Sequence, residues 1–138
     1  MSKAISWSGV FPAVTTQFNE DFSVNLDATH AVISGLVRDG VSGLVMCGTV
    51  GENTSLSLEE KVSLIEVAKD AAAGRVPVIS GVAEFTSLNA TRTAQAVRRA
   101  GADGIMLMPA LVYSSKPFET AAHFRSVASQ VDLSLIHI

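Results

Sequence analysis

The sequence predicts an α/β protein in which repeated β-α units surround a parallel sheet. Two observations indicate this class. Short apolar or β-branched runs, each closed by Gly, Pro or Ser, alternate with longer stretches that have helical spacing. In addition, residues 40–46 (GVSGLVM) resemble residues 101–107 (GADGIML). In both segments one glycine ends a predicted helix and another begins a predicted strand, which is typical of equivalent stacked units.

Strands and helices are predicted in strict alternation. The predicted strands are residues 9–14, 43–47, 76–80 and 104–108, with a fifth starting at Leu133. The predicted helices are residues 24–38, a second from Ser57 to the Gly74-Arg75 pair, a third capped by Thr86 or Ser87, and a fourth from near Pro117 to Gln130. Ser57 and Glu60 have the spacing of a capping box, and Gly40 has the position of a left-handed helix cap.

The first three helices each have a stripe of residues that we expect to face the sheet. The stripes are Leu26, Thr29, Ile33, Leu36 and Val37 in the first helix, Leu58, Val62, Ile65 and Ala68 in the second, and Leu88, Thr91, Ala94 and Val97 in the third. Cys47 is the one cysteine of the chain and ends an apolar run. We therefore expect it to pack in the core, since it has no partner for an internal disulfide.

The length of the chain limits the architecture. Four β-α units and one strand cannot close a barrel, which needs eight units and typically about 250 residues, whereas this chain has 138. Either the sheet is open or the chain is incomplete. Residues 133–138 (LSLIHI) stop inside a predicted strand and match a translation of a transposon end used in sequencing libraries. We therefore expect residues 1–132 to be one domain and residues 133–138 to be a non-native terminal scar, with an authentic buried strand as the alternative.

Composition and charge argue against several functions. No run approaches the roughly 18 to 20 apolar residues that a membrane helix needs, so no membrane association is expected. Residues 1–8 lack the apolar core of a secretory signal, so a cytoplasmic location is expected. The net charge of -3 comes without a basic cluster, so we expect no nucleic-acid partner. No spacing of His, Cys, Asp and Glu indicates a metal site.

The turns that follow the strands are the places where a parallel α/β barrel carries its functional groups. These turns include residues 15–16, 48–53, 81–85 and 109–116. The second of them is the GTVGEN turn, residues 48–53. It places glycines and consecutive backbone N–H groups around one hydroxyl, an arrangement that can bind a carboxylate or a phosphate. A short glycine-rich turn also has many structural uses, so the residues alone leave both interpretations open.

Four segments together resemble the dihydrodipicolinate synthase / N-acetylneuraminate lyase family. They are residues 9–16 (GVFPAVTT), 48–52 (GTVGE), 74–82 (GRVPVISGV) and 108–109 (MP), and the likeness spans residues 9 to about 132. The resemblance implies a (β/α)8 TIM barrel, here truncated to about four β-α units plus a fifth strand. It also implies a lysine on the sixth strand that forms a Schiff base with pyruvate or another 2-oxo acid, no cofactor, and a homo-oligomeric parent protein, either a dimer or a tetramer.

The resemblance assigns roles to the GTVGEN turn. Thr49 matches the family's proton-relay hydroxyl, and the backbone N–H groups of Gly48, Thr49 and Val50 match the groups that bind the substrate carboxylate. Val50 departs from the family, which usually has Ser or Thr there and so a side-chain donor. Tyr113 is a candidate relay residue, but residues 110–112 separate it from Pro109, whereas the family's synthases have tyrosines directly after the proline. A packing or interface role is the alternative for Tyr113.

The remaining polar residues contribute little to the predicted chemistry. Glu84 is expected either to meet the distal end of a substrate or to face solvent, and Glu52 to organise the turn through backbone hydrogen bonds. By the resemblance, the family's fifth-strand tyrosine falls at Ile138 and the Schiff-base lysine comes later, so this chain lacks both and is expected to be inactive alone. No buried strand-end setting, and so no nucleophilic role, is expected for the lysines present, which are Lys3, Lys61, Lys69 and Lys116.

Several functions remain open. Within the family, the GTVGEN turn and residues 109–113 (PALVY) look more like a catabolic member, such as a pyrroline-4-hydroxy-2-carboxylate deaminase, than like 4-hydroxy-tetrahydrodipicolinate synthase of lysine biosynthesis, which is the alternative. A phosphate-handling barrel is a second alternative, although its usual phosphate site lies in the last two units. The non-enzymatic alternative is an open half-barrel whose exposed strand edges invite pairing.

Overall fold

The predicted α/β class is confirmed. The computed structural model describes residues 5–110, 112 and 114–136. Its helices are α1 (Leu26–Arg38), α2 (Leu58–Ala72), α3 (Ser87–Arg99) and α4 (Pro117–Ala128), with a short 3-10 helix at Asn53–Ser55. Its strands are β1 (Leu44–Met46), β2 (Val78–Val82), β3 (Gly104–Leu107) and β4 (Ser134–Ile136). They form one parallel sheet in the order β1-β2-β3-β4, so α2, α3 and α4 each connect neighbouring strands.

The sheet has two different faces. The face under the helices carries the core, including the fully buried Leu44, Met46, Val78 and Ile105. The opposite, concave face leaves a cavity of about 240 Å³, lined by Trp7, Phe11, Val45, Ile79, Met106 and Ile136. Strands buried on both faces are expected in parallel sheets, and β2, in which every residue is buried, has that character.

The predicted first strand, residues 9–14, is the main difference from expectation. It contributes one isolated parallel bridge, Ala13 to Val45, instead of a strand. The Val14 N–H donates to the Val45 carbonyl at 2.9 Å, and the Val45 N–H donates to the Pro12 carbonyl at 3.0 Å. Pro12 has no N–H with which to extend the ladder, so the pairing stops after one bridge. The segment nevertheless lies beside β1, to which this parallel bridge joins it.

The third predicted strand is shifted along the chain. Residues 76–80 were expected, and β2 covers Val78–Val82. The difference depends on Pro77, which precedes the strand, and on Gly81, which pairs with Met106 of β3 inside the sheet. A Cβ atom at Gly81 would collide with the Cys47 carbonyl, so this glycine permits close strand packing and does not begin the turn.

The helix starts follow their predicted caps. The Ser57 hydroxyl accepts from the Glu60 N–H at 3.1 Å, and the Glu60 carboxylate accepts from the Ser57 N–H at 2.8 Å, so the capping box is confirmed. Thr86 caps α3, one of the two predicted alternatives. Asn25 caps α1, which therefore starts two residues later than expected, at Leu26.

The buried helix faces differ in part from the predicted stripes. Leu26, Leu58 and Leu88 stand at or next to the starts of their helices and are exposed, Leu88 by 60%. Helix starts lie beyond the carboxyl ends of the strands, where the sheet no longer covers them. The covered face of α3 instead consists of Ala90, Thr93, Ala94, Ala96 and Val97. Within the described part of the chain, no helix is long and apolar enough to cross a bilayer.

Candidate functional site

The GTVGEN turn follows β1 at the carboxyl end of the sheet. Two backbone hydrogen bonds close it, from the Glu52 N–H to the Thr49 carbonyl at 3.0 Å and from the Asn53 N–H to the Gly48 carbonyl at 3.2 Å. Gly48 is buried, whereas Thr49 and Val50 are exposed, Val50 by 54%. Among the described residues, the N–H groups of Gly48, Thr49 and Val50 have no hydrogen-bond acceptor. The turn therefore offers consecutive donors that an anion can bind.

The backbone is strained at two residues, one just before the GTVGEN turn and one near its end. Cys47, just before it, has a φ of 52°, and Glu52, near its end, has a φ of 60°. Both values lie in the left-handed region, which costs a residue other than glycine roughly 1 to 3 kcal/mol. Such conformations persist where the surrounding structure fixes them, and they concentrate at functional sites. Glu52 contributes through its backbone, because its carbonyl accepts from the Ser55 N–H at 2.9 Å.

Close packing holds the turn against the rest of the sheet. The Thr16 hydroxyl, from the first predicted functional turn, donates to the buried Gly51 carbonyl at 2.7 Å. A Cβ atom at Gly51 would lie 3.0 Å from the Val14 carbonyl and 3.1 Å from the Cys47 nitrogen. Gly51 is therefore required by the close approach of two backbone segments. The same reason requires Gly81 beneath the Cys47 carbonyl.

A buried polar network, which the sequence pattern did not indicate, lies next to the turn. Lys61 of α2 is only 4% exposed. Its ammonium donates to the Glu84 carboxylate at 2.7 Å and to the Asn53 side-chain oxygen at 3.3 Å. The Asn53 amide nitrogen in turn donates to the Cys47 carbonyl at 2.7 Å and the Gly81 carbonyl at 3.3 Å. Asn53 thus joins the ends of β1 and β2.

Two sequence expectations are corrected here. Glu84 was expected to meet substrate or solvent, but its carboxylate accepts from Lys61 and, at 3.3 Å, from the Thr93 hydroxyl. Lys61 was expected to lack a buried setting, yet it is among the most buried polar residues described. Its ammonium is held in an ion pair, so it remains unsuited as a nucleophile. The helical spacing could have indicated the burial of Lys61, because it places Lys61 on the same covered face of α2 as Ile65 and Ala68.

A cavity of about 290 Å³ opens beside the turn at the carboxyl ends of β1, β2 and β3. The polar side of its wall is formed by Gly48, Thr49, Asn53 and Thr54. The remaining wall is mostly apolar and includes Val82, Phe85, Met106, Met108 and Pro109. The described lining contains no charged side chain. The cavity therefore combines a polar edge, formed by the GTVGEN turn, with an apolar interior, the usual composition of a small-molecule site.

Cys47 lines this cavity but is not a reactive group. It is fully buried, as expected. Burial raises the pKa of its thiol to about 12, although the positive charge of Lys61 opposes the shift. The thiol is therefore protonated near neutral pH, and the thiolate is the nucleophilic form. Across residues 5–110, 112 and 114–136, no three His, Cys, Asp or Glu side chains group closely enough to hold a metal ion.

The structure brings Gly48 and Thr49 together at the cavity, with Val50 adjoining them on the surface. The second candidate relay residue, Tyr113, lies outside the described residues, so its role stays a prediction. The same holds for Lys3. Lys69 and Lys116 do not belong to the cavity lining.

Comparison with known proteins identifies the family. The model of the dihydrodipicolinate synthetase family matches residues 6–137. This chain belongs to that family. Among curated relatives, 4-hydroxy-tetrahydrodipicolinate synthase of Sorangium cellulosum is 38% identical over 132 residues, which are 94% of this chain and 43% of the relative. The corresponding synthase of Rhizobium meliloti is 35% identical and is covered to 44%. The chain thus spans less than half the length of these relatives.

Solved structures give the same result for the fold. A prophage protein of the dihydrodipicolinic acid synthase family from E. coli K12, in complex with pyruvate, matches with a TM-score of 0.90 and 30% identity, over 95% of this chain and 44% of that one. N-acetylneuraminate lyase from Mycoplasma synoviae matches with a TM-score of 0.86 and 25% identity, over 94% and 45%. The front half of a (β/α)8 barrel is therefore confirmed as the architecture of this dihydrodipicolinate synthetase family chain.

Proposed function

We propose that the full-length protein, meaning this chain extended to the length of its relatives, is a Schiff-base-forming lyase that acts on pyruvate or a related 2-oxo acid. The observation that carries the proposal is the GTVGEN turn, whose first three N–H groups have no acceptor among the described residues and whose Gly48 and Thr49 line an apolar cavity at the carboxyl end of the sheet. A 2-oxo acid has a carboxylate for the N–H groups and a short carbon skeleton for the cavity. The pyruvate complex of the E. coli relative supports this substrate class.

In the proposed reaction the turn binds and orients the substrate. The N–H groups of residues 48–50 hold the carboxylate, which places the neighbouring carbonyl carbon beside the Thr49 hydroxyl. A lysine amine from beyond this chain adds to that carbonyl carbon and loses water to form the iminium, which stabilises the electron pair left at the next carbon. Thr49 moves protons to and from the carbonyl oxygen as it leaves. Tyr113 is the proposed partner of Thr49 in this relay.

The finer substrate class is also a proposal. Val50 provides a backbone N–H but no side-chain donor, and the described cavity wall beyond the turn is uncharged. Both features favour a catabolic member of the family, such as a pyrroline-4-hydroxy-2-carboxylate deaminase. The names of the curated relatives favour the alternative, 4-hydroxy-tetrahydrodipicolinate synthase. Purified full-length protein assayed with both substrates distinguishes the two.

The proposal predicts covalent trapping of pyruvate. The full-length protein treated with pyruvate and borohydride is expected to gain a reduced adduct on one lysine, detected by intact mass and peptide mapping. The 138-residue chain alone is expected to gain none, because no described lysine lines the cavity, and Lys61 and Lys69 are in addition held in ion pairs. Protein treated with borohydride without pyruvate is the control. Failure of the full-length protein to trap pyruvate and other 2-oxo acids would disprove the proposed function.

A further inference from the structure

The Lys61 network joins two functional turns of the barrel. Asn53 closes the GTVGEN turn after β1, and Glu84 lies in the turn after β2. Lys61 lies between them and donates to both, at 3.3 Å and 2.7 Å. The ammonium group of a third element, α2, therefore connects the Asn53 and Glu84 side chains of the two turns.

The contacts of Asn53 fix its orientation. Its amide nitrogen faces two backbone carbonyls, those of Cys47 and Gly81, and its amide oxygen faces the Lys61 ammonium. An asparagine side chain has one face of donors and one of acceptors, so the ammonium selects the orientation in which the donors reach the carbonyls. Without that donor, the Asn53 oxygen is a buried acceptor with no partner among the described residues, so the side chain that holds the two carbonyls loses one of its three hydrogen bonds.

The Cys47 carbonyl that Asn53 holds directly precedes the amide donors of the turn. The Cys47 backbone is in the left-handed region and therefore needs external restraint. The Asn53 side chain provides this restraint by donating a hydrogen bond to the Cys47 carbonyl, and Gly81 packs closely against the same carbonyl. The Cys47 carbonyl and the Gly48 N–H belong to the same planar peptide unit, so a displacement of the carbonyl also rotates this N–H. The network thus acts directly on the geometry of the proposed carboxylate site.

Stability alone does not account for a lysine at this position. An ion pair in a buried site loses hydration, and an apolar residue of similar size is often neutral or stabilising there. Lys61 shares its helix face with Leu64, Ile65 and Ala68, so an apolar side chain would suit the surroundings. The specific feature of lysine is the donor that orders Asn53 and Glu84.

We propose that Lys61 is a positioning residue that, through Asn53, sets the geometry of the GTVGEN turn and thereby the affinity for the 2-oxo acid carboxylate. This inference rests on the proposed function. The carboxylate is bound in the ground state and the transition state alike, so loss of its alignment raises KM more than it lowers kcat. Lys61 touches neither substrate nor reacting atoms and is therefore not a catalytic residue.

The test compares K61M, the double variant K61M/E84Q and K69M in the full-length protein, with KM and kcat for pyruvate and the urea midpoint as readouts. K61M leaves an unpaired carboxylate, whereas K61M/E84Q removes both charges and is expected to recover most of the stability. The expected result is that both variants raise KM roughly ten-fold with kcat changed less than about three-fold. K69M, which breaks the other ion pair of α2, is the matched control and is expected to keep the wild-type KM.

The outcomes separate the inference from the function on which it rests. Wild-type protein that traps neither pyruvate nor another 2-oxo acid with borohydride refutes the proposed function. Wild-type protein that traps pyruvate, together with a K61M/E84Q variant that is stable and has the wild-type KM, refutes the inference and shows that the pair serves stability alone. An equal rise of KM in K69M also refutes it, because the effect is then not specific to the turn. If K61M fails to fold, K61M/E84Q alone decides the question.

Discussion

The two lysine ion pairs of α2 lie at opposite ends of the sheet and differ in character. Lys61–Glu84, at the carboxyl end, has side chains 5% and 20% exposed, whereas Lys69–Asp103, at the amino end, has side chains 30% and 23% exposed. Each lysine connects α2 to the next β-α unit. Asp103 also accepts from the Val78 N–H at 2.8 Å, which fastens the start of β2. The same residue types thus serve sheet assembly at one end and connect functional turns at the other.

This difference agrees with the general division of labour in a β/α barrel, where the carboxyl ends of the strands carry function and the amino ends carry stability. In this chain the carboxyl end carries the buried Lys61 network and most of the apolar cavity wall. It also carries Cys47 and Glu52, whose backbones are in the left-handed region. Variants at the two ends should consequently separate into those that change chemistry and those that change only stability.

The largest expected effect is that of T49V, which removes the proposed relay hydroxyl while keeping the shape of the side chain. In the full-length protein kcat is expected to fall on the order of 10²- to 10⁴-fold, because positioned proton transfer contributes about this much. The exposed position of Thr49 predicts little change in the urea midpoint. Steady-state kinetics and circular dichroism measure the two quantities. T49S should restore most of the activity, and a fully active T49V would remove Thr49 from the mechanism.

The second prediction concerns Cys47, at the same end of the sheet. At pH 8 a thiol with a pKa of about 12 has a thiolate fraction on the order of 10³-fold smaller than one at the ordinary value. Alkylation by iodoacetamide is therefore expected to be slower by at least that factor, and to rise with pH up to about 12. The variant S126C, which adds a thiol on the exposed side of α4, provides the control rate. Rapid labelling of Cys47 in folded protein would contradict the buried setting.

Much of the architecture follows from local sequence signals. The capping box at Ser57 and the alternation of strands and helices depend on residues close together in the chain, and the structure confirms them. The GTVGEN turn is likewise a continuous segment. The resemblance to the family also relied on continuous segments, and the family assignment is confirmed.

The signals that the sequence analysis missed depend on distant partners. Burial of Lys61 requires Glu84, which is 23 positions away, and a lysine with no visible partner is normally assigned to solvent. The single bridge at Ala13 follows from Pro12 and from the edge of the sheet together. Gly81 looks like the beginning of a turn until its packing against the Cys47 carbonyl is known. Each case needs the tertiary neighbour before the residue can be interpreted.

The smallest expected effects come from comparing the stabilities of K61M and K69M. Removal of one partner from a buried pair typically costs about 3 to 5 kcal/mol of stability. Because Glu84 is partly exposed, we expect K61M to lose about 3 kcal/mol. The more exposed pair gives K69M a loss of about 1 kcal/mol. Urea unfolding of the full-length variants under identical conditions measures both, and the K69M loss should shrink further at high salt. Equal losses for the two variants would mean that burial does not distinguish the two ends of α2.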